Sequence, residues 1–369
     1  MIKKNNFLAF LLSAAYVVFL SFFLWNEEYL FLAIPLVITV LYFSIFDFKS
    51  LFFLVILLTP LSMSLSDLGM GGFNVEMAFP TEPILFGLML LALFKMFYDF
   101  QSFKKVFKHP ITICILLYLI WMLITCVTSS MPLVSFKLFL TRLWYILPIF
   151  FMGVLIFKSK KNIYKFVLVY CIPLSAVICY TIVRHSNYFF DKHSAHYMMS
   201  PFFNDHTSYG AVIAFFIPLL ISVLWVKRKH FVMNIFLLAI ISVFIIGLIL
   251  SFTRAAWISL VLASFFILLL KLKINRKFLF FIPSFILFIF FLFQNPILDT
   301  LQSNKQDSSD NLIEHFTSIS NISTDASNME RINRWKCAIN MFLEKPVFGW
   351  GPGTYQFQYA PFQLYNDKT

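Results

Sequence analysis

Apolar runs long enough to cross a lipid bilayer recur along most of this chain, and no other feature constrains its fold so tightly. A spanning helix needs about 20 mainly apolar residues. Eleven runs meet or approach that length: 7–24, 29–46, 50–66, 83–98, 111–128, 143–157, 164–183, 208–226, 231–250, 255–270 and 278–294. Hydrophobic residues make up 60% of the 369, charged residues only 12%, and Phe occurs 50 times. A water-soluble fold could not bury that much apolar surface, and the hydrophobicity excludes disorder. With five Cys, a disulfide scaffold is excluded as well. The pattern predicts an all-α polytopic membrane protein with about eleven transmembrane helices. Lys3 and Lys4 precede the first run as they would in a signal peptide. No small-x-small cleavage site comes before Trp25-Asn26-Glu27-Glu28, so an uncleaved first span is expected.

Charge sets the orientation. With the N-terminus placed inside, the inner segments hold 18 of the 29 Lys and Arg. The short outer segments hold 5, and 6 follow residue 294. Of the 17 acids only Asp47 and Asp99 lie inside, so the inner side carries +16 and the outer side −4. The positive-inside rule then predicts a cytoplasmic N-terminus and an outer location for residues 295–369. The net charge of +12 records this orientation, and no nucleic-acid partner is expected.

Composition turns polar at Gln294-Asn295-Pro296. The expected organisation is a transmembrane domain over 1–294 and a large outer (periplasmic) loop over 295–369. Within that loop Ser327-Asn-Met-Glu330 reads as a capping box. The short amphipathic helix it opens places Ile332, Trp335, Ile339 and Phe342 on one apolar stripe and should stop at Lys345, before Pro346. Gly349-Trp-Gly-Pro-Gly353 follows as a turn. Residues 129–142 are apolar but short, which suggests an interfacial helix.

The span interiors are almost free of ionisable groups, which argues against an ion-coupled transporter and moves polar chemistry to the outer face. Arg254, in Leu250-Ser-Phe-Thr-Arg-Ala-Ala-Trp257, sits between two runs with almost no loop and faces outward against the charge trend. It is either an arginine snorkelling to headgroups or an anion site, since guanidinium forks onto phosphate oxygens. Arg331 and Arg334 lie three apart on the expected outer helix, with Trp335 placed to stack on a sugar or a guanidinium. A solvated helix face is the alternative. Lys137 and Arg142 are the other outer cations near the membrane, and headgroup contact is their simpler role. His193, His196 and His206 lie with Asp191 and Asp205 in one outer loop; zinc sites favour such ligands, but the spacing is not diagnostic. No Asp-x-Asp occurs, and no metal or other cofactor is expected.

Three stretches together resemble the O-antigen ligase and polymerase superfamily of bacterial envelope enzymes. They are Pro201-Phe-Phe-Asn-Asp-His-Thr-Ser-Tyr-Gly210, Ser251-Phe-Thr-Arg-Ala-Ala-Trp257, and Arg331-Ile-Asn-Arg-Trp335 with Phe342-Leu-Glu-Lys-Pro-Val-Phe-Gly-Trp-Gly-Pro-Gly353. Their order and spacing carry the resemblance over roughly residues 140–360. It implies a multi-pass protein of the bacterial inner membrane. It also implies metal-independent, inverting transfer of a glycan from an undecaprenyl diphosphate carrier at the outer face. The acceptor would be a second glycan or lipid A core. Membrane lipids and the lipid-linked donor are the implied partners.

By the resemblance Arg254 and Arg331 match essential outer arginines, and Arg142, eleven residues before Gly153, resembles a further one. Asn204, His206, Arg334 and Trp335 are the implied substrate-binding residues. The family also places an outer His after the Gly-rich turn and before a last pair of spans. This sequence stops at Thr369 before such a His, so a C-terminal truncation is expected, with loss of transfer if Thr369 is the true end. Polymerase is preferred to ligase on the Phe-rich, Lys-rich, Gly-poor character. A lipid-linked glycan flippase or a non-catalytic scaffold are the competing classes, although the spans offer little to line a flippase cavity.

Overall fold

The computed structural model describes residues 47–67, 77–227, 231–272 and 326–363, with a few single positions elsewhere; side chains at 227, 270, 271, 326–330 and 332 are excepted. The expected spans 7–24, 29–46 and 278–294 lie outside these stretches. In order the chain forms helix α1 (Phe48–Leu58), strands β1 (Met63–Ser64) and β2 (Ala78–Phe79), then α2 (Thr81–Tyr98), α3 (Phe100–Phe107) and α4 (Pro110–Val127). There follow α5 (Pro132–Ile156), α6 (Lys160–Ser186), α7 (His206–Lys227), α8 (Phe231–Leu250) and α9 (Arg254–Lys271). The last two are α10 (Ala326–Glu344) and α11 (Tyr355–Gln358).

Among the described residues six helices are long and apolar enough to cross a membrane: α2, α4, α5, α6, α7 through Val226, and α8. The apolar helices Phe48–Leu61 and Arg254–Leu269 fall short of that length. The chain is a multi-pass membrane protein by this measure. Three differences from the sequence expectation have clear causes. The run 50–66 ends early, at a 3-10 turn over Thr59–Leu61, and gives way to an antiparallel pair in which Met63 faces Phe79. The fold is thus helical apart from this one small ladder among the described residues. The expected interfacial helix at 129–142 is instead the first half of α5, a 25-residue helix. Pro148 could not donate an i→i−4 bond inside it, and the chain widens into a π turn over Leu147–Met152 that carries the helix past the proline.

The third difference concerns α10. Its expected stripe faces out: Trp335, Ile339 and Phe342 are exposed, while Cys337 and Met341, on the opposite side, are buried. The helix ends at Glu344, one residue short of the expected stop. It is helical already at Ala326, two residues ahead of the start that the capping box implies.

The chain divides into two compact units, Met1–Asp99 with Leu147–Pro173, and Phe100–Ile146 with Leu174–Thr369. In the first, α1 packs on α2, and Leu51, Phe52, Phe53, Leu88 and Ala92 are buried. In the second, α7 packs against both α8 and α9. Glycine permits the close approach there: a Cβ on Gly247 would stand 2.6 Å from Ile178 Cγ2 and 3.0 Å from the Tyr209 hydroxyl. Every residue singled out for chemistry belongs to this second unit.

Candidate functional site

Only three residues, Ser251, Phe252 and Thr253, separate α8 from α9, and the turn is fixed from several sides. Phe252 takes a left-handed conformation, φ 49°. The Ser251 hydroxyl donates to the Leu248 carbonyl at 2.7 Å and accepts from the Thr253 amide at 3.3 Å. The Trp257 indole donates to the same Leu248 carbonyl at 2.9 Å. Arg254 is the first residue of α9 and is half-buried. Its backbone therefore stands at the positive end of the α9 dipole, a position that favours anions.

This turn meets the start of α7. The Thr253 hydroxyl donates to the His206 carbonyl at 2.9 Å. A Cβ on Gly210 would lie 2.9 Å from Ser251 Oγ and 3.0 Å from Thr253 Oγ1, so Gly210 is what lets the two elements touch. Asp205 caps α7 and accepts from the Ser208 amide at 2.7 Å. Partial burial works to raise its carboxyl pKa, but hydrogen bonds from Ser208 and Thr207 outweigh it and hold the group below its ordinary value. Asn204 is exposed, and the His206 ring packs on His196 with centroids 4.0 Å apart. Among the described residues no three His, Cys, Asp or Glu converge as a metal site.

His185 was not picked out by the sequence. It is buried at the end of α6, with Nε2 2.8 Å from the Asp191 carbonyl and its ring edge-on to Phe190 and Phe252. Arg184 donates to the Ser200 carbonyl at 2.5 Å. Together they fasten the loop 187–205 over the α8–α9 turn. Aromatic rings at both ends of the loop were the only sequence signal.

The arginine helix is held elsewhere in the same unit. The Cys337 thiol donates to the Tyr359 carbonyl at 3.2 Å, and the Trp350 indole donates to the Met341 carbonyl at 3.1 Å. The Tyr355 hydroxyl donates to the Arg334 carbonyl at 2.9 Å. The Gly-rich turn then docks on the segment between α4 and α5. Ser130 donates through its amide (3.1 Å) and hydroxyl (2.8 Å) to the Trp350 carbonyl, and Ser135 donates to the Pro352 carbonyl at 2.9 Å. All three glycines have positive φ, at 65°, 106° and 76°. Gly351 has no space for a side chain: a Cβ would fall 2.0 Å from Ser129 Oγ. Arg331, Arg334 and Trp335 are exposed on α10, and Arg142 is exposed on α5, seven residues beyond the Ser135 anchor.

Two groups thus emerge. The α7 start, which carries His206, meets the α8–α9 turn that precedes Arg254. Arg331, Arg334 and Trp335 are tied to the α4–α5 segment, on the helix that carries Arg142. Residues 239–369 match the family model described as O-antigen ligase, in support of the O-antigen ligase and polymerase superfamily. The match includes Arg254, Arg331, Arg334 and Trp335; Arg142, Asn204 and His206 precede it. No curated protein and no solved structure gives a significant match to the chain.

Proposed function

We propose that the protein is an envelope polysaccharide polymerase or ligase of the bacterial inner membrane, with its N-terminus in the cytoplasm and its transfer site at the outer face. The donor is an undecaprenyl-diphosphate-linked oligosaccharide, and the acceptor is a second glycan or lipid A core. The observation that carries this reading is Arg254. It is a cation at a helix N-terminus, on a three-residue turn between two apolar helices, inside the segment that matches the O-antigen ligase family.

In the proposed reaction the bond from the anomeric carbon to the diphosphate oxygen breaks while the acceptor oxygen bonds the same carbon from the opposite side. The bonding electron pair leaves with the diphosphate, and the proton of the acceptor hydroxyl passes to solvent water or to the departing diphosphate. Negative charge grows on the leaving group, where fixed guanidinium groups stabilise it without a metal. Arg254 and Arg331 take this role. Arg142, Arg334, Trp335, Asn204 and His206 contact the rest of the donor and acceptor, with Trp335 offering an aromatic face to a sugar ring.

The test is glycan chain length in cells that make the cognate repeat unit. Arg254→Ala and Arg331→Ala should each abolish chain extension or ligation while export of single lipid-linked units continues. Unchanged glycan length in both variants would overturn the reading.

A further inference from the structure

Helix α10 has two apolar faces. One carries Cys337 and Met341 and docks on the segment 355–362. The other carries Trp335, Ile339 and Phe342, spaced i, i+4 and i+7, and is turned away from the protein, Ile339 being 57% and Phe342 59% exposed. Leu343, Val347 and Phe348 extend the exposed surface. Six large apolar side chains left in open water would gain the fold nothing from burial, and a patch of this kind marks a partner or membrane surface.

The contact of Phe348 says what covers them. Its ring stacks on Trp121 with centroids 6.0 Å apart and planes 13° apart. Trp121 is itself half-exposed and belongs to α4, a helix long and apolar enough to span a membrane. It lies six residues before the α4 end at Val127, which at 1.5 Å per residue is about 9 Å along the helix axis. Phe348 therefore reaches the depth of the last turns of a spanning helix, not the water beyond it. The hydroxyls of Ser130 and Ser135 hold the neighbouring turn there.

We infer that α10 is an interfacial helix whose Trp335–Ile339–Phe342 face, continued by Phe348, lies in the lipid of the leaflet that surrounds the C-terminal end of α4. Arg331, one turn before Trp335 and exposed, lies at the level of the lipid phosphates, and Trp335 lies at the headgroup boundary where indole rings collect. The occupant of this face is the bilayer itself. Phe348 packs on Trp121 within the last turns of an apolar helix long enough to span, and the cationic end of the stripe matches a phosphate layer. The inference deepens the proposed function, because a lipid diphosphate has its charge at that same level. It rests on that reading only for the role of Arg331.

The test is a depth measurement on the full chain in nanodiscs of phosphatidylcholine and phosphatidylglycerol, with the exposed thiols Cys114 and Cys179 replaced by Ser. A nitroxide is attached at Ile339→Cys, at Phe342→Cys as a second position, and at Asn340→Cys on the solvated side. At 339 and 342 collisions with oxygen should exceed collisions with a water-soluble nickel chelate several-fold, and the ratio should reverse at 340. Water-like collisions at 339 and 342 would overturn the inference. So would labels at 339 and 342 shielded from both reagents, which would show a protein partner on this face. Neither outcome depends on glycan transfer, so this inference and the proposed function fail separately.

Discussion

The Thr253 hydroxyl donates a 2.9 Å hydrogen bond to the backbone carbonyl of His206, joining residues 47 apart in sequence. This carbonyl belongs to the first turn of α7, and the donor immediately precedes Arg254. Replacing Thr253 with Val keeps the shape and removes the bond. The expected loss is about 1–2 kcal/mol. It should appear as faster amide exchange at the start of α9, with Arg254 less well placed and transfer reduced.

Gly351→Ala meets two obstacles, a left-handed φ of 106° and a Cβ placed 2.0 Å from Ser129 Oγ. A cost of about 2–3 kcal/mol is expected. Adding Ser129→Gly should recover most of the contact part and leave the 2.8 Å approach to Ser135 Oγ and the backbone part. Hydrogen exchange over residues 345–363 measures both, and simple additivity of the two variants would contradict the geometry.

Arg254→Lys keeps one positive charge and loses the planar fork. Under the proposed mechanism transfer should fall by about 10²-fold or more in Arg254→Ala, too little to extend chains in cells, with Arg254→Lys intermediate, because an ammonium cannot bind two phosphate oxygens in parallel. Equal activity of Lys and wild type would reduce the role of Arg254 to a point charge.

Asp205→Ala removes the cap of α7 and should cost about 1 kcal/mol. The Asp205 carboxyl titrates below its ordinary value in the folded protein. Its contribution is therefore complete above that ordinary value and is lost as the pH falls through the lower, native one. Protection of the Ser208 amide should follow that curve, and Asp205→Ala should flatten it. A loss that began near neutral pH would point to another group.

The sequence made six of the expected spans legible because apolar length is a local property. The same holds for α10, whose end near Lys345 is dictated by Pro346. What escaped was whatever depends on the partner of a face. Two apolar stripes run along α10, and periodicity favoured the larger one, Trp335–Ile339–Phe342. The smaller stripe, Cys337 and Met341, is buried because segment 355–362 returns against it. Ser129, Ser130 and Ser135 read as ordinary loop residues, since their partners Trp350 and Pro352 lie more than 200 residues away. The continuity of α5 was hidden by Pro148, which normally ends a helix but is absorbed here by a π turn. Of the candidate site, the residue types and the turn at Arg254 were visible. The pairing of that turn with His206 was not.

The turn between α8 and α9 also has a consequence for how an anion would be received. Arg254 hangs from three residues, one of them confined to the left-handed region and two of them tied down by their own hydroxyls. The backbone beneath the guanidinium has little freedom left to surrender when a ligand arrives. An arginine on a long loop would give up much of its attraction in becoming ordered. Here the backbone share of that entropy was lost when the chain folded, so under the proposed mechanism only the side chain of Arg254 would remain to be ordered by a phosphate.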